Sequence, residues 1–489
     1  MMSYTLCRPR QLFAAPHRVS MLTRRANRVR GLREAALSLP LLGPLPGDLV
    51  KLILRLLPLD ARLRAREVRR GWCALLEDAS FWTHVDLRKS CGVNPRFLTP
   101  RYGVERHTLA LLRAACVRAK DNLQSVDLSG VRYTRGGPFI QQWLDSASAA
   151  DKASLCDLVA PLCYPSLNLE QVTAVCRTLP LCRVRCTVYC TAVEALPLLR
   201  REPPFALLTI CKLLVFNEEG EQAVLNLASA LTVHKGMEQL SLYVVPLTRA
   251  VVDALVDAAI SAGIIDVSFH ECGLSQTALP ALTRLIQAPG FEQLRVDNDN
   301  LTLLEGPALP AFCEALRNCT SLRKLELYFV HLWHDMAVAT QLIAALEGLP
   351  ALQELSTVGN STDRTPAMQR AVGECLAPLI AHSTSLRVQD VSENQLGEAG
   401  LAPIFEALRG DSGLAELFLD EEQISADFAC DVVLTAVRAN TSLRELSGLR
   451  WVDAPEFDED EKEEEELLPE LQELGDILAA RRQAEEEAA

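Results

Sequence analysis

The stretch Ile264-Ile265-Asp266-Val267-Ser268-Phe269-His270-Glu271-Cys272-Gly273-Leu274 places apolar residues at its first, fourth, sixth, ninth and eleventh positions. Side chains alternate across a strand, so Val267 and Phe269 point one way and Asp266, Ser268 and His270 the other. The stretch Leu386-Arg387-Val388-Gln389-Asp390-Val391-Ser392-Glu393-Asn394-Gln395-Leu396 keeps the same frame, with Asn394 in the place of Cys272. Along the chain this L-x-x-L-x-L frame starts at Leu123, Leu155, Leu181, Leu208, Met237, Ile264, Phe291, Leu322, Leu352, Leu386, Leu414 and Leu443, in steps of 26 to 34 residues. A step held that closely marks an array of similar units, each burying its apolar residues only against its neighbours.

Helical stretches lie between the frames, for example Ala308 to Leu316 and Leu401 to Leu408. A unit of this length has room for a strand and a full helix, and the frame resembles the leucine-rich repeat of the ribonuclease-inhibitor type. That resemblance implies an α/β solenoid with parallel strands on the concave side and helices on the convex side. It also implies that Cys272 and Asn394 satisfy backbone groups where the chain leaves the strand. Between residues 150 and 220 the copies degenerate: Ala160 and Cys211 stand where Leu is expected, and the register at Leu208 is open to a slip of one or more residues.

The chain has 489 residues, 49 Lys+Arg against 63 Asp+Glu and a net charge of −14. Half of it (49 %) is apolar but only 5 % is aromatic, which suits many thin Ala- and Leu-rich layers better than one large core. The charge sits at the ends. Residues 453–489 hold 16 acids and three bases, a net of −13, and residues 1–40 hold eight arginines and one acid, a net of +7. The middle is left at −8, without the basic surface that nucleic-acid binding needs. No run of about 18 uncharged apolar residues is present to span a bilayer, so neither nucleic acid nor membrane is an expected partner. The start lacks a clean apolar signal region, and 16 cysteines in so long a chain read as small hydrophobes in a reducing compartment. The expected location is cytoplasmic, nuclear or both; an organelle transit peptide in the Arg-rich leader is the alternative.

Ahead of the repeats, Leu49, Leu52, Ile53, Leu56 and Leu57 have the spacing of one helix face, ended by Pro58. Asp60 opens a second helix whose outer face is a row of arginines: Arg62, Arg64, Arg66, Arg69 and Arg70. A third carries Trp72, Leu75 and Leu76, followed by Phe81-Trp82 and a strand-like Val85-Asp86-Leu87. A module this small leaves apolar surface for a partner. The string Pro44-Leu45-Pro46-Gly47-Asp48-Leu49, Ile53, Leu56-Leu57-Pro58-Leu59, Val68-Arg69-Arg70-Gly71-Trp72 and Phe81-Trp82 resembles the F-box motif. The resemblance implies docking on a Skp-type adaptor, the link to a cullin ubiquitin ligase. The matching adaptor-binding or packing positions are Leu45, Pro46, Leu49, Ile53, Leu56, Pro58, Leu59, Val68 and Trp72.

The expected domains are a leader (1–40), an F-box-like module (41–90), a linker with a helix (91–119), the repeat array (120–452) and an acidic tail (453–489). In the tail, Leu467, Leu471, Leu474 and Leu478 have helical spacing. The acidic run Glu456 to Glu466 reads as an extended, solvated tail, with the Arg-rich leader or the Arg face of the module as alternative docking sites.

Nothing points to catalysis. Cys182, Cys186 and Cys190 fit one strand and its turn better than a metal site, and His270-Glu271 lacks the second His of H-E-x-x-H. Phosphate-binding and nucleophile-elbow motifs are missing, so no catalytic residue, cofactor or metal is expected. The candidate target-binding face is the outward set of strand residues, with Tyr243, Asp266, His270, Arg295, Asp297, Lys324, Glu326 and Tyr328 the residues best suited to a protein partner. The reading is a non-catalytic substrate receptor of a Skp, cullin and F-box ligase. Two alternatives remain: a regulator resembling the Ran GTPase-activating protein family, which has similar repeats and an acidic tail, and an F-box scaffold independent of a ligase.

Overall fold

The computed structural model describes Leu54, Arg62 and residues 76–87, 104–128, 139–160, 167–216, 220–234, 236–245, 247–297, 303–360, 365–410, 412–451 and 469–488. One open sheet of 14 strands runs through them, parallel at every pairing, and the strands follow one another in chain order. They are β1 (His84–Asp86), β2 (Ser125–Asp127), β3 (Asp157–Val159), β4 (Leu167–Asn168), β5 (Arg183–Thr191), β6 (Leu208–Phe216) and β7 (Gln239–Tyr243). Then come β8 (Asp266–His270), β9 (Gln293–Asp297), β10 (Lys324–Tyr328), β11 (Glu354–Ser356), β12 (Val388–Asp390), β13 (Glu416–Ile424) and β14 (Glu445–Trp451). Both β3 and the short β4 pair with β5.

Helices return the chain between strands. They are α1 (Val104–Ala119), α2 (Phe139–Ser146), α3 (Ala149–Ser154), α4 (Leu169–Thr178), α5 (Ala192–Leu199), α6 (Glu221–Val233) and α7 (Arg249–Ala262). After these come α8 (Leu279–Ile286), α9 (Leu309–Arg317), α10 (Met336–Leu346), α11 (Pro366–His382), α12 (Gly397–Leu408), a helical segment of mixed type over 426–439, and α13 (Pro469–Ala488). Adjacent strands sit about 4.8 Å apart and packed helices about 8–10 Å apart, so the helix layer is the longer one and the array curves toward its strands. This is the expected α/β solenoid, a parallel sheet on one side and helices on the other.

Local chemistry sets the element ends. Asn168 and Gln171 form a reciprocal capping box on α4, and Thr191 and Glu194 do the same on α5. Gly263 ends α7 in the left-handed conformation at φ 75°, which a side chain disfavours. The core lies between the layers: Leu240, Leu242, Val267, Phe269, Leu294, Val296, Leu325 and Leu327 are all at most 2 % exposed.

At the strand exits the expected polar residues meet the backbone. The Cys272 thiol lies over the carbonyls of His270 and Leu242 at 3.3 and 3.5 Å. Asn394 donates to Val391 O at 2.6 Å and Thr357 O at 2.8 Å, and its Oδ1 accepts from Asn360 N at 2.9 Å and Trp333 Nε1 at 3.0 Å. Asn360, one repeat earlier, donates to Leu327 O and accepts from Leu332 N. These side chains link three successive repeats where the ladder of strand hydrogen bonds has stopped.

Several expectations need correction. The sheet begins at β1, which pairs with β2 residue for residue, so strand pairing starts ahead of residue 120 and α1 is a repeat helix. Leu181 does not anchor its repeat: it is 80 % exposed, and Leu179 and Cys182 are buried in its stead. Nor does Leu208 start its frame. Phe205, Leu208 and Ile210 face the core in step with β5, then Ile210, Leu213 and Val215 do so in step with β7. The two registers meet at a bulge that leaves Cys211 unpaired, so Cys211 is an inserted residue and not a replacement for Leu.

Arg62 does not belong to a solvated face. Its side chain is buried and Nη1 donates to Phe81 O at 3.0 Å, while burial, opposed by Asp86, lowers its pKa. Phe81 and Trp82 are buried beside it, with Trp82 Nε1 donating to Leu76 O at 2.7 Å. Leu45, Pro46, Leu49, Ile53, Leu56, Pro58, Leu59, Val68 and Trp72 lie outside the described residues, as do the leader and residues 452–468.

The acidic run at 456–466 lies outside the described residues, as does the leader, whereas the helix that follows it is described. α13 covers the last repeat, burying Leu474 and Leu478. Arg481 donates to Val437 O and Leu443 O, Arg438 pairs with Glu473, and Arg444 pairs with Glu485. No helix among the described residues is long and apolar enough to cross a membrane.

Candidate functional site: the strand face

Parallel pairing without offset turns equivalent positions into rows running across the strands. One row reads Lys212, Gln239, Asp266, Gln293, Lys324 and Glu354. The next reads Leu214, Ser241, Ser268, Arg295, Glu326 and Ser356, and the third reads Phe216, Tyr243, His270, Asp297 and Tyr328. All eight candidate residues therefore share one surface. It is not freely solvated: Asp266 is 8 % exposed, and the Glu326 side chain 13 %.

The third row opens as a ladder of rings, joined diagonally by Tyr189, whose strand partner is Leu214 of the second row. Tyr189 and Phe216 have centroids 4.2 Å apart at a 56° tilt, Phe216 stacks on Tyr243 at 4.8 Å, and Tyr243 stacks on His270 at 4.2 Å with planes 3° apart. Because Phe216, Tyr243 and His270 stack face to face, that part of the ladder presents ring edges. Tyr189 and Phe216 escape a frame-based reading because the bulge at Cys211 shifts their strands out of step.

Beyond His270 the row turns ionic. His270 Nδ1 lies 3.5 Å from Asp297 Oδ2, and Arg295 Nη2 is also 3.5 Å from that oxygen. The Arg295 guanidinium sits 4.3 Å over the Tyr328 ring, and Tyr328 donates its hydroxyl to Glu326 Oε1 at 2.9 Å. Burial, and then the Glu326 carboxylate, push the Tyr328 phenol up, which keeps it a donor. Lys324 Nζ bridges Glu354 at 2.8 Å and Glu326 at 3.3 Å; burial opposes its charge, but the two carboxylates outweigh it and raise its pKa. Burial raises Asp266, and Lys212 opposes that rise.

The C-terminal half of the face is acidic. Across β10 to β14 the two facing rows carry Glu326, Glu354, Asp390, Glu416 and Glu445 against one cation, Lys324. Burial raises the Asp390 carboxyl, Ser392 holds it down by hydrogen bonding, and Asp420 and Glu326 raise it further as like charges. At the opposite end His84, Asp86, Ser125, Asp127, Asp157 and Arg185 line a depression of about 180 Å³.

The rim above the ladder is strained and apolar. Val244, Glu271 and Phe329 each follow a strand with φ near +50° (53°, 51° and 51°), and each donates its N–H to the next strand, to His270 O, Asp297 O and Val358 O. A β-branched residue is rarely found there. Even so Val244 is 56 % and Phe329 39 % exposed, so the strained turn carries apolar side chains at the lip of the face. Cys182, Cys186 and Cys190, by contrast, are core residues: burial pushes Cys182 and Cys190 up to about 12 and Cys186 well above its ordinary value. Such thiols are poor nucleophiles and poor ligands.

No family model matches this sequence, and no curated protein matches it. Among solved structures, the crystal structure of a TLR13–ssRNA13 complex shares 15 % identity at a TM-score of 0.26 over 67 % of this chain. The match spans 36 % of that chain's length.

Proposed function

We propose that this protein is the substrate-recognition subunit of a Skp, cullin and F-box ubiquitin ligase: the module at 41–90 docks on the adaptor and the strand face holds a target protein. The observation that carries the reading is the run of F-box anchors from Leu45 to Trp72, placed directly before the first strand of the array. Phe81, Trp82 and the Arg62 to Phe81 hydrogen bond support it, because they join the module's end to β1 through buried contacts. The chain makes and breaks no bond. It raises the effective concentration of a target lysine near the ligase-bound conjugating enzyme.

The test is co-purification with a Skp-type adaptor. The full chain is expected to retain the adaptor and the Leu45→Ala, Pro46→Ala double variant to lose it; undiminished retention by the variant overturns the docking assignment. Measuring GTP hydrolysis by a small GTPase with and without the protein separates this reading from a GTPase-activating one, and unchanged hydrolysis is expected.

A further inference from the structure

The strand face is sorted along its length, and the sorting defines what fits it. Rings at Tyr189, Phe216, Tyr243 and His270 occupy β5 to β8, with the exposed Val244 at their lip. Glu354, Asp390, Glu416 and Glu445 occupy β11 to β14; Lys324 of β10 pairs with Glu354 at 2.8 Å, and among those four strands the sole Lys or Arg is Arg450, opposite the exposed Gln423 near the end of β14. Between them, on β9 and β10, Arg295, Lys324, Asp297, Glu326 and Tyr328 satisfy one another.

We propose that this face takes an extended segment of a partner protein with apolar side chains at one end and lysines or arginines at the other. The apolar end lies on the ring edges, and the basic end over the carboxylates of β11 to β14. This rests on the strand face being the target-binding surface. Charge complementarity selects the occupant: an acidic segment or a nucleic acid would set like charge against like charge on half-buried carboxylates. The spacing is also set. From β7 to β12 is five strand steps of about 4.8 Å, about 24 Å in all, which an extended chain covers in about seven residues at 3.3 Å each.

The test is fluorescence anisotropy of labelled 16-residue peptides on the full chain. One peptide carries two leucines seven residues from three arginines in a Gly/Ser background. In the others, Glu replaces the arginines or Ser replaces the leucines. The Leu/Arg peptide is expected to bind at least tenfold more tightly than either control and to weaken as salt rises. The double variant Glu354→Lys, Asp390→Lys is expected to weaken it at least tenfold, and Tyr243→Ser to remove the preference for Leu over Ser. Replacing Glu463, Glu464, Glu465 and Glu466 by Gln is expected to change nothing. Absence of binding, equal binding of the Glu peptide, or loss on the tail substitutions but not the strand ones overturns the proposal. A target that the chain lacking 41–90 traps and Tyr243→Ser loses, with no discrimination among the peptides, keeps the face as the binding surface and overturns only the chemistry assigned to it.

Discussion

Two polar residues of the repeat that starts at Leu386 are both buried, and the contacts they make give them opposite consequences. Asn394 occupies the strand exit, where four polar groups from three repeats converge on its amide. Replacing it by Ala leaves buried donors and acceptors unmade, and is expected to cost about 2–4 kcal/mol in urea unfolding. Asn394→Cys, which copies the residue at 272, is expected to recover part of that loss. Gln389 stands at a core position of β12 between Leu355 and Leu417, fully buried, and neither of its amide atoms has a hydrogen-bond partner. Gln389→Leu removes a desolvated amide and is expected to stabilise the fold by about 1–3 kcal/mol; a lower unfolding midpoint would show the amide to be satisfied. The sequence alone marks both residues as departures from an apolar frame. Only their neighbours show that one is bonded and the other is not.

Element by element, the regular repeats were legible and the irregular ones were not. From β7 to β10 the predicted frame and the observed register agree at every strand, because Leu, Val and Phe fall in step. At β5 and β6 two registers overlap on nine-residue strands, and the placement of the bulge depends on which neighbour each half pairs with. The α11–α12 contact is likewise tertiary: a Cβ on Gly373 would overlap the Gly400 carbonyl, so the two helices approach closely only because both positions are Gly. For α13 the leucine spacing predicts the helix but not its seat. Its ion pairs to Arg438 and Arg444 are largely exposed and contribute little, whereas burial of Leu474 and Leu478 is worth about 1.5–3 kcal/mol each. Ending the chain at residue 468 is therefore expected to lower the thermal midpoint and to promote self-association, read by light scattering, since the last repeat loses its cover. A truncated chain that stays monomeric with an unchanged midpoint would show that α13 is not the cap.

For the whole molecule, the net charge of −14 conceals an arrangement that composition cannot express. The acidic tail does more than solvate, since residues 469–488 form the helix that covers the last repeat. The mildly acidic middle gathers much of its charge on one end of one face, which sorts the surface into an aromatic half and an acidic half. The sequence by itself determined the repeat, its strand-and-helix unit and the outward residues of the regular strands β7 to β10, because periodic burial is a local property that each unit writes in its own side chains. The tertiary structure decided where the array begins, how the bulge at Cys211 reconciles two registers, and what α13 covers. It also decided which outward residues become neighbours across strands, because each of these depends on contacts between units 26 or more residues apart.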